Sequence, residues 1–308
     1  MDSQRPIERI RRMMQNGGYY VKINQILPEL SSIWGENVGK IILTWNLGNK
    51  NLNIPKVVPM DKSLTLEAPA THSSWLPWVM LPGRLVLFAA FQAFFALGYL
   101  LFKANNAWEA SAAWWPFTVT LTNLVCIAVL IHLFAREGKS YFSLFRIRRE
   151  DIKKDLLTML WVFLIIIPVA MLPIYLVAIW LFGSTTAALN LFIRHLPTWA
   201  AVASLILFPI TQGLAELVTY FLYIEPRVEE QLGVRWLAVS VAALALGIQH
   251  VAVPLLFNGR FMLWRMLMFI PFALMLGIVL RWRPRLLPYL VIIHVLMDMS
   301  TATMLLTV

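Results

Sequence analysis

The sequence predicts an all-α protein: a polytopic transmembrane helix bundle of about seven spans with a polar cytosolic N-terminal extension. Hydrophobic residues make up 59% of its 308 residues and charged residues only 14%, and the mean hydropathy is +0.70. A soluble domain of this length fills its core with far fewer apolar residues. The apolar residues also form runs of roughly 20, the length at which a helix crosses a hydrocarbon core of about 30 Å.

Each span is predicted from an apolar run bounded by polar residues. A helix is expected because a single spanning segment must satisfy its own backbone N–H and C=O groups. The third run contains Pro168 and Pro173, and since proline can kink or break a helix, this is the run where a span is most easily split. The predicted spans are 83–102, 112–134, 157–182, 199–223, 236–256, 262–281 and 286–306.

The chain therefore divides into a basic N-terminal region, 1–80, and a transmembrane helical domain, 81–308. The first region contains no run long enough to span a membrane, and it lacks the apolar core and cleavage site of a secretory signal peptide. Residues 1–14 include four arginines beside apolar side chains. Two interpretations remain open for the region: an amphipathic helix on anionic lipid, or a solvated extension that recruits a cytosolic partner.

The distribution of Lys and Arg predicts the orientation. The segment 136–154, between the second and third spans, carries seven of them, and an excess of positive charge marks a cytoplasmic loop. Counting seven spans from there places the N-terminus in the cytoplasm and the C-terminus outside, in a plasma or inner cell membrane. Arg265, near the outer end of the sixth span, is expected to snorkel to the interface.

Several functional classes are excluded or disfavoured. The net charge of +10 is explained by membrane orientation and contact with the lipid bilayer, and no nucleic-acid-binding motif accompanies it. Cys126, the one cysteine, cannot form an internal disulfide and is expected to be a small buried side chain. No P-loop or dinucleotide fingerprint is present, so no nucleotide cofactor is predicted. Paired inverted repeats, typical of transporters, are not evident.

Four ionisable residues lie deep inside the predicted spans: Glu216, His250, His294 and Asp298. A charged side chain at the centre of a spanning helix costs roughly 2.5 to 3.5 kcal/mol on insertion scales, so a function is expected to retain it. His294 and Asp298 are four residues apart and share one helix face. Gly247, just before His250, allows close helix packing. The four side chains are predicted to converge on one site.

The segment 199–306 resembles the CPBP family of intramembrane proteases, which includes CAAX proteases and bacteriocin-processing (Abi-like) proteins. The family motifs are E-E-x-x-x-R, F-x-x-x-H and H-x-x-x-N or H-x-x-x-D. Their counterparts here are Ala215-Glu216-Leu-Val-Thr-Tyr220, Leu246-Gly-Ile-Gln-His250 and His294-Val-Leu-Met-Asp298. The resemblance implies hydrolysis of a peptide bond in a membrane-associated peptide or protein substrate, which need not be prenylated.

The resemblance also implies roles for the site residues. A motif Glu and His250 would activate water, while His294 and Asp298 would stabilise the oxyanion. The sequence departs from the pattern because Ala215 replaces the first Glu and Tyr220 replaces the Arg. Tyr220 is expected to support Glu216 by a hydrogen bond. Adjacent helical residues point about 100° apart. Glu216 is therefore expected to need a small helix rotation to take the place of a glutamate at position 215 as the base.

Three interpretations of the site stay open. In the first, Glu216 has become the general base of an active endopeptidase that needs no cofactor. The second is a degenerate pseudoprotease that binds membrane segments as an immunity or regulatory protein. In the third, His250, His294, Glu216 and Asp298 bind Zn²⁺, although no H-E-x-x-H motif is present and the ligands come from three helices.

Overall fold

The structure, a computed structural model, describes residues 75–307. Within this range the chain is helical, with no strand beyond one isolated bridge between Ala252 and Leu255. The predictions for residues 1–74, including the lipid-bound helix and the cytosolic partner, lie outside the described residues. The helices are α1 (Leu76–Leu101), α2 (Ala107–Ser111), α3 (Trp115–Arg136), α4 (Ile152–Phe182), α5 (Thr185–Phe192), α6 (Thr198–Leu217), α7 (Glu225–Leu232), α8 (Arg235–Gln249), α9 (Gly259–Leu267), α10 (Ile270–Trp282) and α11 (Leu287–Thr303).

The multi-pass helical membrane architecture is confirmed. Six helical segments in the described range are long and apolar enough to cross a membrane. They agree with six of the predicted spans, although α1 begins at Leu76 and so extends into the region assigned to the N-terminal extension. The six segments are Leu76–Leu101, Ala107–Arg136, Tyr141–Phe182, Thr198–Leu232, Gly259–Trp282 and Pro284–Leu306.

The fifth predicted span, 236–256, is a shorter helix than expected. Helix α8 has 15 residues, about 22 Å at the helical rise per residue, and ends at Gln249. Irregular backbone follows it as far as Asn258. This backbone is tolerated at depth because protein groups satisfy it: Gln92 accepts from the Leu255 N–H at 2.7 Å, and the side chains of Gln92 and Trp108 both donate to the Leu255 carbonyl at 2.9 Å.

The third span is not broken by its prolines. Helix α4 runs without interruption through Pro168 and Pro173. Nearly half of its residues are exposed, and only 22% of the apolar 18-residue stretch in this segment is buried inside the protein. A proline removes one backbone N–H, and a long helix retains enough other hydrogen bonds to continue past it.

Two glycines near the predicted site allow close helix packing, one between α6 and α11 and one between α8 and α10. A Cβ built on Gly213 of α6 would lie 2.7 Å from Val295 Cγ2 of α11. One built on Gly247 of α8 would lie 2.5 Å from Ile270 Cγ1 of α10. Side chains larger than hydrogen would therefore push these helices apart. Each glycine precedes an ionisable residue, Glu216 or His250, by three positions. The close approach predicted for Gly247 is confirmed.

Ion pairs join the ends of several spans on one side of the bundle. Glu225 is almost fully buried, yet its carboxylate lies 3.3 Å from the Arg281 guanidinium. Because these charges come from helices far apart in sequence, they fix which helix ends share a side. Further pairs are Arg281 with Glu229, Arg235 with Glu229, Arg285 with Asp155 and Asp151, and Arg227 with Glu137.

Candidate functional site

Glu216 lies at the centre of a buried polar cluster formed by α6, α8 and α11. Its Oε1 is 3.7 Å from His250 Nε2, and its Oε2 is 3.5 Å from His294 Nε2. His294 Nε2 is also 3.4 Å from Asp298 Oδ2. All four ionisable residues predicted to converge therefore do so. Glu216 reaches both histidines from its own position, so the helix rotation expected from the sequence is not needed.

Two glutamines hold the carboxylate of Glu216 on the side away from His294. Gln212 Nε2 donates to Glu216 Oε1 at 2.7 Å, and Gln249 Nε2 donates to the same oxygen at 2.6 Å. Gln212 is one helical turn before Glu216, while Gln249 is the last residue of α8. The two amides thus fix the position of a carboxylate that is only 3% exposed.

Arg84 of α1 completes this side of the cluster. Its Nε donates to Gln249 Oε1 at 2.7 Å, and its Nη2 donates to Gln212 Oε1 at 3.0 Å. Nη2 also lies 3.9 Å from Glu216 Oε1. Each glutamine therefore accepts from the guanidinium and donates to the carboxylate. Arg84 is 1% exposed. It supplies a positive charge beside Glu216, where the first motif has Tyr220 instead of an arginine.

The prediction that Tyr220 hydrogen-bonds Glu216 is wrong. The Tyr220 hydroxyl donates instead to Gln249 Oε1 at 3.2 Å, and it lies 3.4 Å from the Leu81 carbonyl oxygen. Gln249 occupies the place between the phenol and the carboxylate. Tyr220 therefore supports Glu216 only through Gln249, on the same amide oxygen that Arg84 Nε binds.

A π-helical segment, Val218–Ile224, continues α6 directly after the site. Such segments are rare and frequently occur at functional sites. All seven of its residues are buried, Tyr220 among them. Ala215, at the position of the missing glutamate, is also fully buried. The π segment thus places Tyr220 beside Gln249 rather than beside Glu216.

The tautomer of His250 follows from its hydrogen bond. Nδ1 lies 2.8 Å from the Leu246 carbonyl oxygen, which can only accept, so we assign the proton to Nδ1. Nε2 then presents a lone pair to the Glu216 side of the cluster. The imidazole ring stacks on Phe269 with a centroid distance of 3.6 Å. Hydrogen bond and stacking together fix the ring orientation.

His294 lies between the acidic cluster and an apolar crevice. Its Nε2 faces the carboxylates of Glu216 and Asp298, whereas Nδ1 is buried and has no hydrogen-bond partner within residues 75–307. The crevice has a volume of about 10 Å³, at the lower limit for one water molecule. It is lined by Phe163, Ile166, Leu217, Phe272, Leu276, Leu290, Ile293, His294 and Met297.

Arg265 of α9 does not snorkel to the interface as predicted. The residue is 3% exposed, and its guanidinium carbon lies 4.2 Å from the centre of the Phe192 ring and 5.1 Å from that of Phe269. The side chain turns inward because these aromatic faces hold the cation. Phe269 is also the ring on which His250 stacks, so Arg265 borders the site.

The donor set does not suit a metal ion. Within the described range, no group of three His, Cys, Asp or Glu side chains is arranged to hold one. Glu216 Oε1, one of the proposed ligands, already accepts two amide hydrogen bonds and lies beside the Arg84 cation. A second cation at this oxygen would have to displace those groups. These contacts do not support the zinc interpretation.

Comparison with known proteins gives no match: no family model, no curated protein and no solved structure is detectably similar to this chain.

Proposed function

We propose that this protein is an intramembrane endopeptidase that hydrolyses a peptide bond of a membrane-associated substrate. The observation that carries the proposal is the convergence of Glu216, His250 and His294 at distances of 3.5 to 3.7 Å inside a membrane domain. Two histidines and a carboxylate held this way are the groups that general acid–base hydrolysis requires. The resemblance of the three motifs to CPBP proteases points to the same chemistry.

Glu216 is the general base in the proposed reaction. A water molecule donates one hydrogen bond to the Glu216 carboxylate and one to the Nε2 lone pair of His250. As the water oxygen attacks the carbonyl carbon, its proton passes to Glu216. Glu216 then delivers this proton to the leaving nitrogen, the C–N bond breaks, and the products are a carboxylic acid and an amine. Arg84, Gln212 and Gln249 position the base.

His294 is the proposed electrophile. Its buried Nδ1 has no hydrogen-bond partner among the described residues, and the residue lines the crevice. Protonated at both nitrogens, His294 donates Nδ1–H to the carbonyl oxygen as negative charge develops there. Asp298 holds the ring through Nε2 and makes no direct contact with the oxyanion. A preorganised donor of this kind contributes about 3 to 4 kcal/mol to transition-state stabilisation.

Cleavage of membrane-inserted peptides tests the proposal. The full-length protein is reconstituted in liposomes with a library of single-span peptides, and the products are identified by mass spectrometry. We expect cleavage by the native protein and a loss of about 100-fold or more in E216Q, H250A and H294A. H132A and H195A, which replace exposed histidines, are the controls and should retain full activity. Cleavage that survives E216Q in folded protein would refute the proposal.

A binding protein without catalysis is the second candidate function. The observation favouring it is that Glu216 Oε1 already accepts two amide hydrogen bonds and lies beside Arg84, so these groups occupy positions from which a water molecule would reach that oxygen. In this alternative, the native protein retains a bound membrane peptide without cleaving it. Peptide recovered intact from native protein, with equal binding by E216Q, would support this alternative over hydrolysis.

We also propose that the N-terminus faces the cytoplasm and the C-terminus the outside of a plasma or inner cell membrane. The support is the seven basic residues in 136–154. Single cysteines introduced into a C126A background test it. Thr186→Cys, after α4, should react with a membrane-impermeant maleimide from outside, whereas Ser140→Cys, after α3, should react only after permeabilisation. The reverse labelling pattern would contradict the orientation.

A further inference from the structure

Arg265 is a buried cation that contacts no counterion among residues 75–307. Every carboxylate oxygen in residues 75–307 lies more than 4.0 Å from its guanidinium. Its only polar contact there is with Met268 Sδ, 4.0 Å from Nη1, and its Nε is buried without a partner. Buried cations are normally paired, and an orphaned donor of this kind requires an explanation.

The acids of the neighbouring site do not provide the missing partner. Glu216 is held by Arg84, Gln212 and Gln249, and Asp298 lies beside His294. Both acids lie within electrostatic range of Arg265 without touching it. The planar fork of a guanidinium matches the two oxygens of a carboxylate or phosphate.

We propose that Arg265 is an anion-binding residue that receives the carboxylate or phosphate group of an apolar ligand. The surroundings define the apolar part. Phe192, Trp264 and Phe269 surround the guanidinium, so a small hydrophilic anion would lose its hydration and gain no contact besides the guanidinium. Arg265 lies six residues into α9, about 9 Å from the start of that helix, a depth that a molecule anchored by an apolar chain can reach.

Met268 occupies the space that the anion would take. Its sulfur is a weak acceptor beside Nη1, and the side chain is unbranched and flexible. Rotation of the Met268 side chain is the movement that would uncover Nη1 for an anion. The bound anion then lies near Phe269 and the stacked His250 ring, which places the ligand at the border of the site. Binding at Arg265 is independent of whether the site hydrolyses peptides.

Thermal unfolding with simple amphiphiles tests this proposal. The full-length protein in a non-ionic detergent is titrated with decanoate, decyl phosphate and neutral decanol. We expect a saturable rise in Tm with at least one anion and none with decanol, because a ligand that binds only the folded state stabilises it. A response to decanoate alone identifies a carboxylate, whereas a response to decyl phosphate alone identifies a phosphate such as that of a lipid.

Variants on the same helix assign the effect to one residue. R265Q should abolish the anion-dependent rise in Tm, and R260Q, which removes an exposed charge from α9, should leave it unchanged. If R265Q does not fold, R265K serves, because it keeps the charge but loses the planar fork and should weaken binding by about tenfold. Equal shifts with decanol and the anions, or an unchanged shift in a folded Arg265 variant, would overturn the proposal.

Discussion

The two buried arginines of the membrane domain lie in opposite surroundings. Arg84 donates to two glutamine oxygens and lies 3.9 Å from the Glu216 carboxylate, so its charge belongs to a paired polar network in which only Nη1 lacks a partner. Arg265 is equally buried but is surrounded by aromatic rings and one sulfur. A cation with partners holds a neighbour in place, whereas a cation without them is available to a ligand.

Removal of Arg84 should produce the largest loss of stability. Arg84→Met leaves Glu216 without its buried cation and leaves the oxygens of Gln212 and Gln249 without their strongest donor. Breaking a buried ion pair in this way costs about 3 to 5 kcal/mol. The measurement is the free energy of unfolding in detergent, with Arg260→Gln as a surface control. A loss below about 1 kcal/mol would show that the Arg84 network is not a stabilising unit.

A double-mutant cycle between Arg84 and Glu216 isolates their interaction. If the carboxylate is destabilising once Arg84 is gone, adding Glu216→Gln to Arg84→Met should restore part of the loss. Residues within one hydrogen-bonded network couple by about 0.5 to 3 kcal/mol. The same unfolding measurements on the two single variants and the double variant give this energy. Additive effects would mean that the two charges act independently.

The spans and the four ionisable site residues could be predicted from the sequence, whereas the hydrogen-bonded network around Arg84 could not. Long apolar runs predicted the spans, and the cost of buried charge identified Glu216, His250, His294 and Asp298. Arg84 lies near the start of the first predicted span, 83–102, and no sequence motif connects it to the site. Its partners Gln212 and Gln249 lie 128 and 165 residues away, and only the packing of α1 against α8 and the π-helical segment Val218–Ile224 brings them together.

The end of α8 at Gln249 could not be predicted from the sequence for a related reason. Residues 250–256 are apolar enough to continue a span, so the sequence predicted a helix there. Gln92, which lies 163 residues from Leu255, satisfies the irregular backbone instead. The inward position of Arg265 could not be predicted, because a location near an interface favours snorkelling. The aromatic rings that hold the side chain come from two other segments, at Phe192 and Phe269.

Tyr220→Phe should weaken the paired network without breaking it. The substitution removes a hydroxyl that donates to Gln249 Oε1, while Arg84 continues to bind the same oxygen. A net loss of about 0.5 to 1.5 kcal/mol in unfolding free energy is expected for one hydrogen bond. Tyr175→Phe, a half-exposed position on α4, is the matched control. A loss as large as that of Arg84→Met would place Tyr220 at the centre of the network.

Replacement of Arg265 should have the smallest effect on stability. Arg265→Met loses cation–π contacts worth about 0.5 to 2 kcal/mol. It also removes a buried charge that contacts no carboxylate among residues 75–307, so the two effects largely offset each other. We expect a change within about 1 kcal/mol in unfolding free energy. A loss matching that of Arg84→Met would mean that Arg265 has a structural partner and would remove the distinction between the two arginines.

Hydrolysis in H₂¹⁸O tests the central claim most directly, namely that Glu216 activates a water molecule inside the membrane. Native protein in liposomes should release peptide products whose new carboxylate carries one ¹⁸O atom, and E216Q should form them at a rate lower by about 100-fold or more. H132A should match the native rate. Labelled products formed equally fast by native and E216Q protein would contradict the account.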